Sequence, residues 1–163
     1  AQARYPAVYY THGFTGNQRK LVGTAASVYQ GMLAGELPPM ILVLLDQSSA
    51  TGTHEFADSV NNGPWGQALT GELIPQLERD YRMDGNASGR FLNGHSSGGW
   101  AALWLQVRYP ALFGGAWATA PDSRPAAPTW SSSFSTTTWS ISSSLPRARS
   151  RRWTSRCWIR PRA

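Results

Sequence analysis

A chain of 163 residues is of the size of one domain, the usual range being roughly 100–150 residues. Its single cysteine excludes an internal disulfide, its three scattered histidines give no zinc or iron ligand pattern, and no apolar run nears the ~20 residues that span a bilayer. The net charge of +6 is uneven: residues 1–122 hold seven Lys and Arg against nine Asp and Glu, whereas residues 123–163 hold eight Arg and no acid. The basic excess therefore describes the C-terminal stretch and not a binding face on the first 122 residues.

The chain opens AQARYPAVYY, strand-like from the start and without an initiator Met or a signal-type leader, which reads as a processed or partial chain. Tyr5 to Tyr10 is aromatic and β-branched and runs into the turn His12-Gly13-Phe14-Thr15-Gly16. A helix is expected over about Leu21 to Leu33, stopped by Gly35 and Pro38-Pro39. Met40 to Leu45 is a continuous apolar run, the pattern of a strand buried on both faces. Gln47 to Pro64 is a long polar loop, a place to look for function.

Trp65 to Tyr81 carries Leu69, Leu73, Leu77 and Tyr81 at four-residue spacing, one face of a helix that Pro75 is expected to kink. Arg90 to Asn93 reads as a short strand, Ser97 to Arg108 as a helix ended by Pro110, and Phe113 to Thr119 as another strand. Strands alternating with helices predict an α/β fold, a mainly parallel sheet of about four strands with flanking helices.

After Asp122 this pattern stops. Residues 123–163 hold eleven Ser, eight Arg and four Trp, with no Asp, Glu, Gly or His. The chain thus divides into 1–122, an α/β domain, and 123–163, an Arg/Ser/Trp tail. The tail's vocabulary is that of GC-rich coding DNA read out of register, so a frameshift near codon 122 is expected. A disordered natural tail is the other reading.

The strongest chemical signal is Gly94-His95-Ser96-Ser97-Gly98, a G-x-S-x-G motif between a short apolar strand and a small-residue helix start. That setting is a nucleophile elbow, in which Ser96 occupies a tight, strained turn and the two glycines remove Cβ atoms that would clash. The following helix points its positive end at the serine, and the Ser97 N–H forms half of an oxyanion hole. His12-Gly13-Phe14 follows the first strand, where the Phe14 N–H would supply the other half. Neither His12, which braces this loop, nor His95, which projects away from its neighbour Ser96, is placed to act as a base.

YPAVYYTHGFTGN, ILVLLDQ, GELIPQLERDYRM and RFLNGHSSGGWAALWLQVRYPALFGGAWATAPD together resemble the α/β-hydrolase branch that includes esterase D, feruloyl and acetyl-xylan esterases and enterochelin-esterase-like proteins. The resemblance covers residues 4–122. It implies a serine carboxylesterase with Ser96 as nucleophile and Ser97 and Phe14 as oxyanion donors, acting on a small-molecule or carbohydrate-linked ester without cofactor or metal. It further implies the third to sixth strands of the family's sheet, with Met40–Leu45 and Phe113–Thr119 at open edges, and a periplasmic or secreted location. The loop bearing His54, Asn62 and Trp65 falls where such enzymes shape the substrate pocket, and Asp122 falls where a minority place the triad acid.

One departure stands out. The fold's triad order is Ser, acid, then His, yet no histidine follows His95 and no acid follows Asp122. The alternative from another class is a non-catalytic binder whose tail (RRWTSRCWIRPR) grips nucleic acid or an anionic surface through Arg and Trp. The tail lacks helical amphipathicity and the Lys usual in such arms, which favours the esterase reading, with no nucleic acid or membrane partner expected.

Overall fold

A computed structural model describes residues 3–50 and 52–122 and, for the backbone alone, 157–159. Strands β1 (Ala7–Thr11), β2 (Ile41–Leu45), β7 (Arg90–His95) and β8 (Gly115–Thr119) form a parallel sheet in the order β2-β1-β7-β8. Helices α1 (Val22–Leu33), α2 (Trp65–Ala68), α3 (Ile74–Asp80) and α4 (Ser97–Arg108) lie between the strands in sequence. The register sets Thr11 opposite Gly94 and Gly94 opposite Ala118, so the C-terminal strand ends finish level. Open parallel sheets gather their sites at that end.

The expected open edge at Phe113–Thr119 is not open. Strand β9 (Cys157–Ile159) pairs antiparallel with β8, Trp158 opposite Trp117, so three residues of the expected irregular tail are in the sheet. A bare edge offers a row of unpaired N–H and C=O groups, and an apolar segment of the same chain meets that need. The proposed Arg/Trp contacts of the rest of the tail, and its assignment as frameshifted or disordered, lie outside the described residues.

The other edge is β2, as expected, and this corrects a second expectation. Ile41 to Leu44 are half-buried and only Leu45 is buried, because β1 is the strand's one sheet neighbour among the described residues. Beside it, α1 buries none of its residues fully and leaves Val22, Tyr29 and Leu33 exposed. In place of a plain loop, Gln47 to Pro64 holds two short antiparallel ladders, β3 (Ser48–Ser49) with β4 (Gly52–Thr53) and β5 (Asp58–Ser59) with β6 (Gly63–Pro64).

The helix expected over Trp65–Tyr81 runs from Trp65 to Asp80 but contains a π turn over Leu69–Leu73. The wider turn inserts one residue into the periodicity, so Leu69 and Ile74 are buried while Leu73 and Tyr81 are exposed. Pro75 follows directly on the π turn, where the Ile74 N–H bonds back to the Leu69 carbonyl, so the regular ladder is already interrupted at the proline.

The core lies between the sheet and α4 together with the α2–α3 segment: Tyr9, Leu92, Ala101, Ala102, Leu105 and Phe113 are buried, and the Tyr9 and Phe113 rings meet edge to face at 6.5 Å. Burial, reinforced by the nearby Glu78 carboxylate, pushes the Tyr9 phenol up to about 12. Arg90, at the start of β7, donates from Nε to Glu78 Oε1 at 2.5 Å and from Nη2 to Oε2 at 2.9 Å, tying α3 to the sheet. Both side chains are about 15% exposed or less. Removing one partner leaves the other charge desolvated, so Glu78→Gln is expected to cost roughly 2 kcal/mol. Urea unfolding checks this, and an unchanged midpoint contradicts it.

Candidate active site

The site is built at the level strand ends. Between β7 and α4, Ser96 has φ +56° and ψ −125°, a conformation that a non-glycine residue adopts only under constraint. The constraint is a crossing of three backbones. A Cβ on Gly94 would lie 2.1 Å from the Gly98 carbonyl oxygen, and one on Gly98 would lie 2.3 Å from the Thr11 carbonyl oxygen. Thr11 completes the crossing by donating its hydroxyl to the Gly98 carbonyl at 2.6 Å.

Ser97 is the first residue of α4 and is fully buried. The first N–H groups of a helix have no intrahelical partner and carry the positive end of its dipole, so this end favours an oxyanion beside Ser96. The His12–Gly16 turn closes on the same point: a Cβ on Gly13 would touch Ser96 Cβ and the His95 carbonyl oxygen, both at 3.4 Å. The Gly13–Phe14 peptide is therefore next to the elbow. The Phe14 ring itself is half exposed and lies against Gly52 of β4.

His12 braces this loop, as its position after β1 predicted. It is 2% exposed; its Nε2 accepts from the Gln47 N–H at 2.9 Å, leaving Nδ1 to donate to the Gly13 carbonyl at 2.8 Å. Asp46 Oδ1, 3.1 Å from the same Nε2, would accept from it only where Nε2 carries a proton, at the expense of the Gln47 bond. Gln47 is a site residue the sequence reading passed over. It is fully buried, and its Nε2 donates to the His12 carbonyl and to Ser97 Oγ at 3.4 Å, locking loop and helix together. The signal was its place two residues after the apolar strand, in the run ILVLLDQ.

Asp122 lies against Ser96. The Ser96 hydroxyl donates to Asp122 Oδ1 at 3.1 Å, and the Ser96 N–H donates to the Thr119 carbonyl at 3.0 Å. Thus Ser96, Ser97, the Gly13–Phe14 peptide and Asp122 gather at one point.

The pocket residues fare differently. His54 is 3% exposed and sits under Trp65, the two rings stacked at 4.1 Å, with Nδ1 accepting from the Phe56 N–H at 3.1 Å. It supports Trp65 and is closed off from open space. Asn62 also holds Trp65, its backbone carbonyl accepting from the indole Nε1, while the residue itself is exposed. Trp65 alone lines a cleft, of about 480 Å³, with Leu45, Asp46, Phe56, Leu69 and Glu72. Ser96 is not in its wall.

Burial holds the His54 imidazole below its usual 6.5. The unfolded chain then takes up the proton first, so this contribution to stability is complete above pH 6.5 and declines as pH falls toward the folded value. The unfolding midpoint is expected to drop between pH 7.5 and 5.5. A His54 ring resonance titrating at or above 6.5 would contradict this.

The family described as Putative esterase matches residues 1–160, past Asp122, where the motif-level resemblance ends. An endo-1,4-beta-xylanase/feruloyl esterase of Xylanibacter ruminicola is 26% identical over 118 residues, 69% of this chain and 16% of that protein. A solved ferulic acid esterase superposes with a TM-score of 0.63 at 21% identity, over 70% of this chain and 46% of that one. A CE1 ferulic acid esterase of Anaeromyces mucronatus in complex with ferulic acid gives 0.59 at 23%, over 74% and 48%. An S-formylglutathione hydrolase of Agrobacterium tumefaciens gives 0.59 at 20%, over 74% and 48%. The chain spans less than half the length of these structures and a sixth of the xylanase/esterase. At these identities the structures establish the fold, that of α/β-hydrolase esterases. The family match covers nearly the whole sequence, and the chain belongs to the Putative esterase family.

Proposed function

We propose that this chain is the nucleophile-bearing part of a serine carboxylesterase. The observation that carries the reading is the positive φ of Ser96 at a strand-to-helix turn that glycines 94 and 98 make sterically possible. A serine held off the usual backbone regions, at the positive end of a helix, is arranged for attack on a carbonyl. Ser96 Oγ adds to the ester carbon, and the N–H groups of Ser97 and Phe14 receive the oxyanion. The ester C–O bond then breaks, leaving an acyl-serine that water releases.

Small-molecule or carbohydrate-linked esters are the substrate class, with feruloyl esters the first to try because the related proteins are named for ferulic acid. Among the described residues no helix is long and apolar enough to cross a membrane. The part that is incomplete is the proton shuttle, since the chain holds no histidine after His95.

Fluorophosphonate modification followed by peptide mass mapping tests the nucleophile. The expected adduct is on Ser96 and is lost in Ser96→Ala with an unchanged melting curve. Modification of another serine, or none at all, sinks the proposal.

A further inference from the structure

We propose that Asp122 is the catalytic base of this chain, taking the Ser96 proton directly rather than through an imidazole; this rests on the reading of Ser96 as nucleophile. The contact is the 3.1 Å hydrogen bond from Ser96 Oγ to Asp122 Oδ1, across 26 residues of sequence. It is set up by backbone geometry on both sides. Ser96 has φ +56°, and Ala120, two residues before Asp122, has φ +45°. An L-residue there costs on the order of 1–2 kcal/mol that glycine would not.

The turn is held in place from two directions. The Ser96 N–H binds the Thr119 carbonyl at 3.0 Å, and a Cβ on Gly99 would lie 3.1 Å from that same carbonyl oxygen and 3.3 Å from Pro121 Cα. Two strained non-glycine residues on adjacent strand ends, aimed at one O–H···O contact, point to chemistry rather than packing. No histidine takes this place: His12 and His54 are buried and hydrogen-bonded elsewhere, His95 is the exposed last residue of β7, and the Ser96 hydroxyl donates to Asp122.

The proton count closes. In acylation the Ser96 proton passes to Asp122 Oδ1 as Oγ bonds to the carbonyl carbon, and Asp122 returns it to the leaving alkoxide oxygen as that C–O bond breaks. In deacylation Asp122 takes a proton from water, the hydroxide adds to the acyl carbon, and the proton goes to Ser96 Oγ as it leaves. A carboxylate is a weaker base than imidazole, so the route is slow.

The test compares Ser96 modification by a fluorophosphonate, and single-turnover acylation by p-nitrophenyl acetate, in the wild-type chain, Asp122→Asn and Asp122→Ala. Asparagine still accepts the Ser96 hydrogen bond but takes no proton. The expected result is a rate lower by about 10²-fold or more, with loss of the solvent deuterium isotope effect and an unchanged melting curve. In Asp122→Ala, added formate should restore part of the rate, which keeps the test available if the asparagine variant misfolds. Ser96 modification at the wild-type rate in Asp122→Asn, or no formate rescue, overturns the role of Asp122 and leaves the nucleophile standing. Absence of any Ser96 modification in the wild-type chain overturns both.

Discussion

Turnover of p-nitrophenyl acetate by the 163-residue chain is expected on the order of 10⁴–10⁶ below that of a version carrying a triad histidine, the usual cost of losing a triad's base. On the proposed roles, the Ser97 and Phe14 N–H groups and the Asp122 carboxylate would leave a residue of rate, small because a carboxylate is a weaker base than an imidazole near neutral pH. The missing histidine has a proposed cause at the level of the gene. Every acid lies at or before Asp122 and every histidine at or before His95, while the next 41 residues carry only positive charge. Shifting the reading frame near codon 122 should recover an open frame with sheet-like patterning, an Asp or Glu and a later His. Expressing that version should raise kcat by the same factor, with Ser96→Ala abolishing the gain. If neither alternative frame stays open and supplies both residues, the tail is genuine and the frameshift is excluded.

Gly98→Ala is expected to abolish folding outright. The added Cβ would lie 2.3 Å from the Thr11 carbonyl oxygen and 2.4 Å from that of His12. Both contacts are main chain, so no rotamer change can relieve them. Overpacking a core side chain costs about 1–3 kcal/mol because neighbouring side chains move. Here β1 or α4 must shift as a whole, and the cost should exceed ~4 kcal/mol, most of the stability of a small domain. Soluble yield and cooperative unfolding are the measurements. Gly23→Ala is the control: it sits within α1 with nothing inside 4 Å of the new Cβ and should be neutral or gain up to ~1 kcal/mol. A Gly98→Ala variant melting like wild type would mean that the elbow is not the tight crossing described.

The sequence by itself determined those features whose cause is local. The helix from Ser97 to Arg108 was legible to the residue, because a small-residue start after the G-x-S-x-G turn and Pro110 after its end leave few other choices. The strained conformation of Ser96 was equally legible, since two glycines at fixed distance have few other uses. The apolar run ILVLL announced a strand but not its neighbours, and hydrophobic pattern cannot distinguish a central strand from an edge. The π turn over Leu69–Leu73 escaped the four-residue spacing because one inserted residue rotates every later side chain. The packing of His54 against Trp65 and Phe56 likewise depends on how the loop closes, which no local pattern specifies. The contact between Ser96 and Asp122 was decided by tertiary structure alone. It requires β8 to lie beside β7 and Ala120 to take a positive φ, conditions set by hydrogen bonds between residues far apart in the chain, where local propensity has no reach.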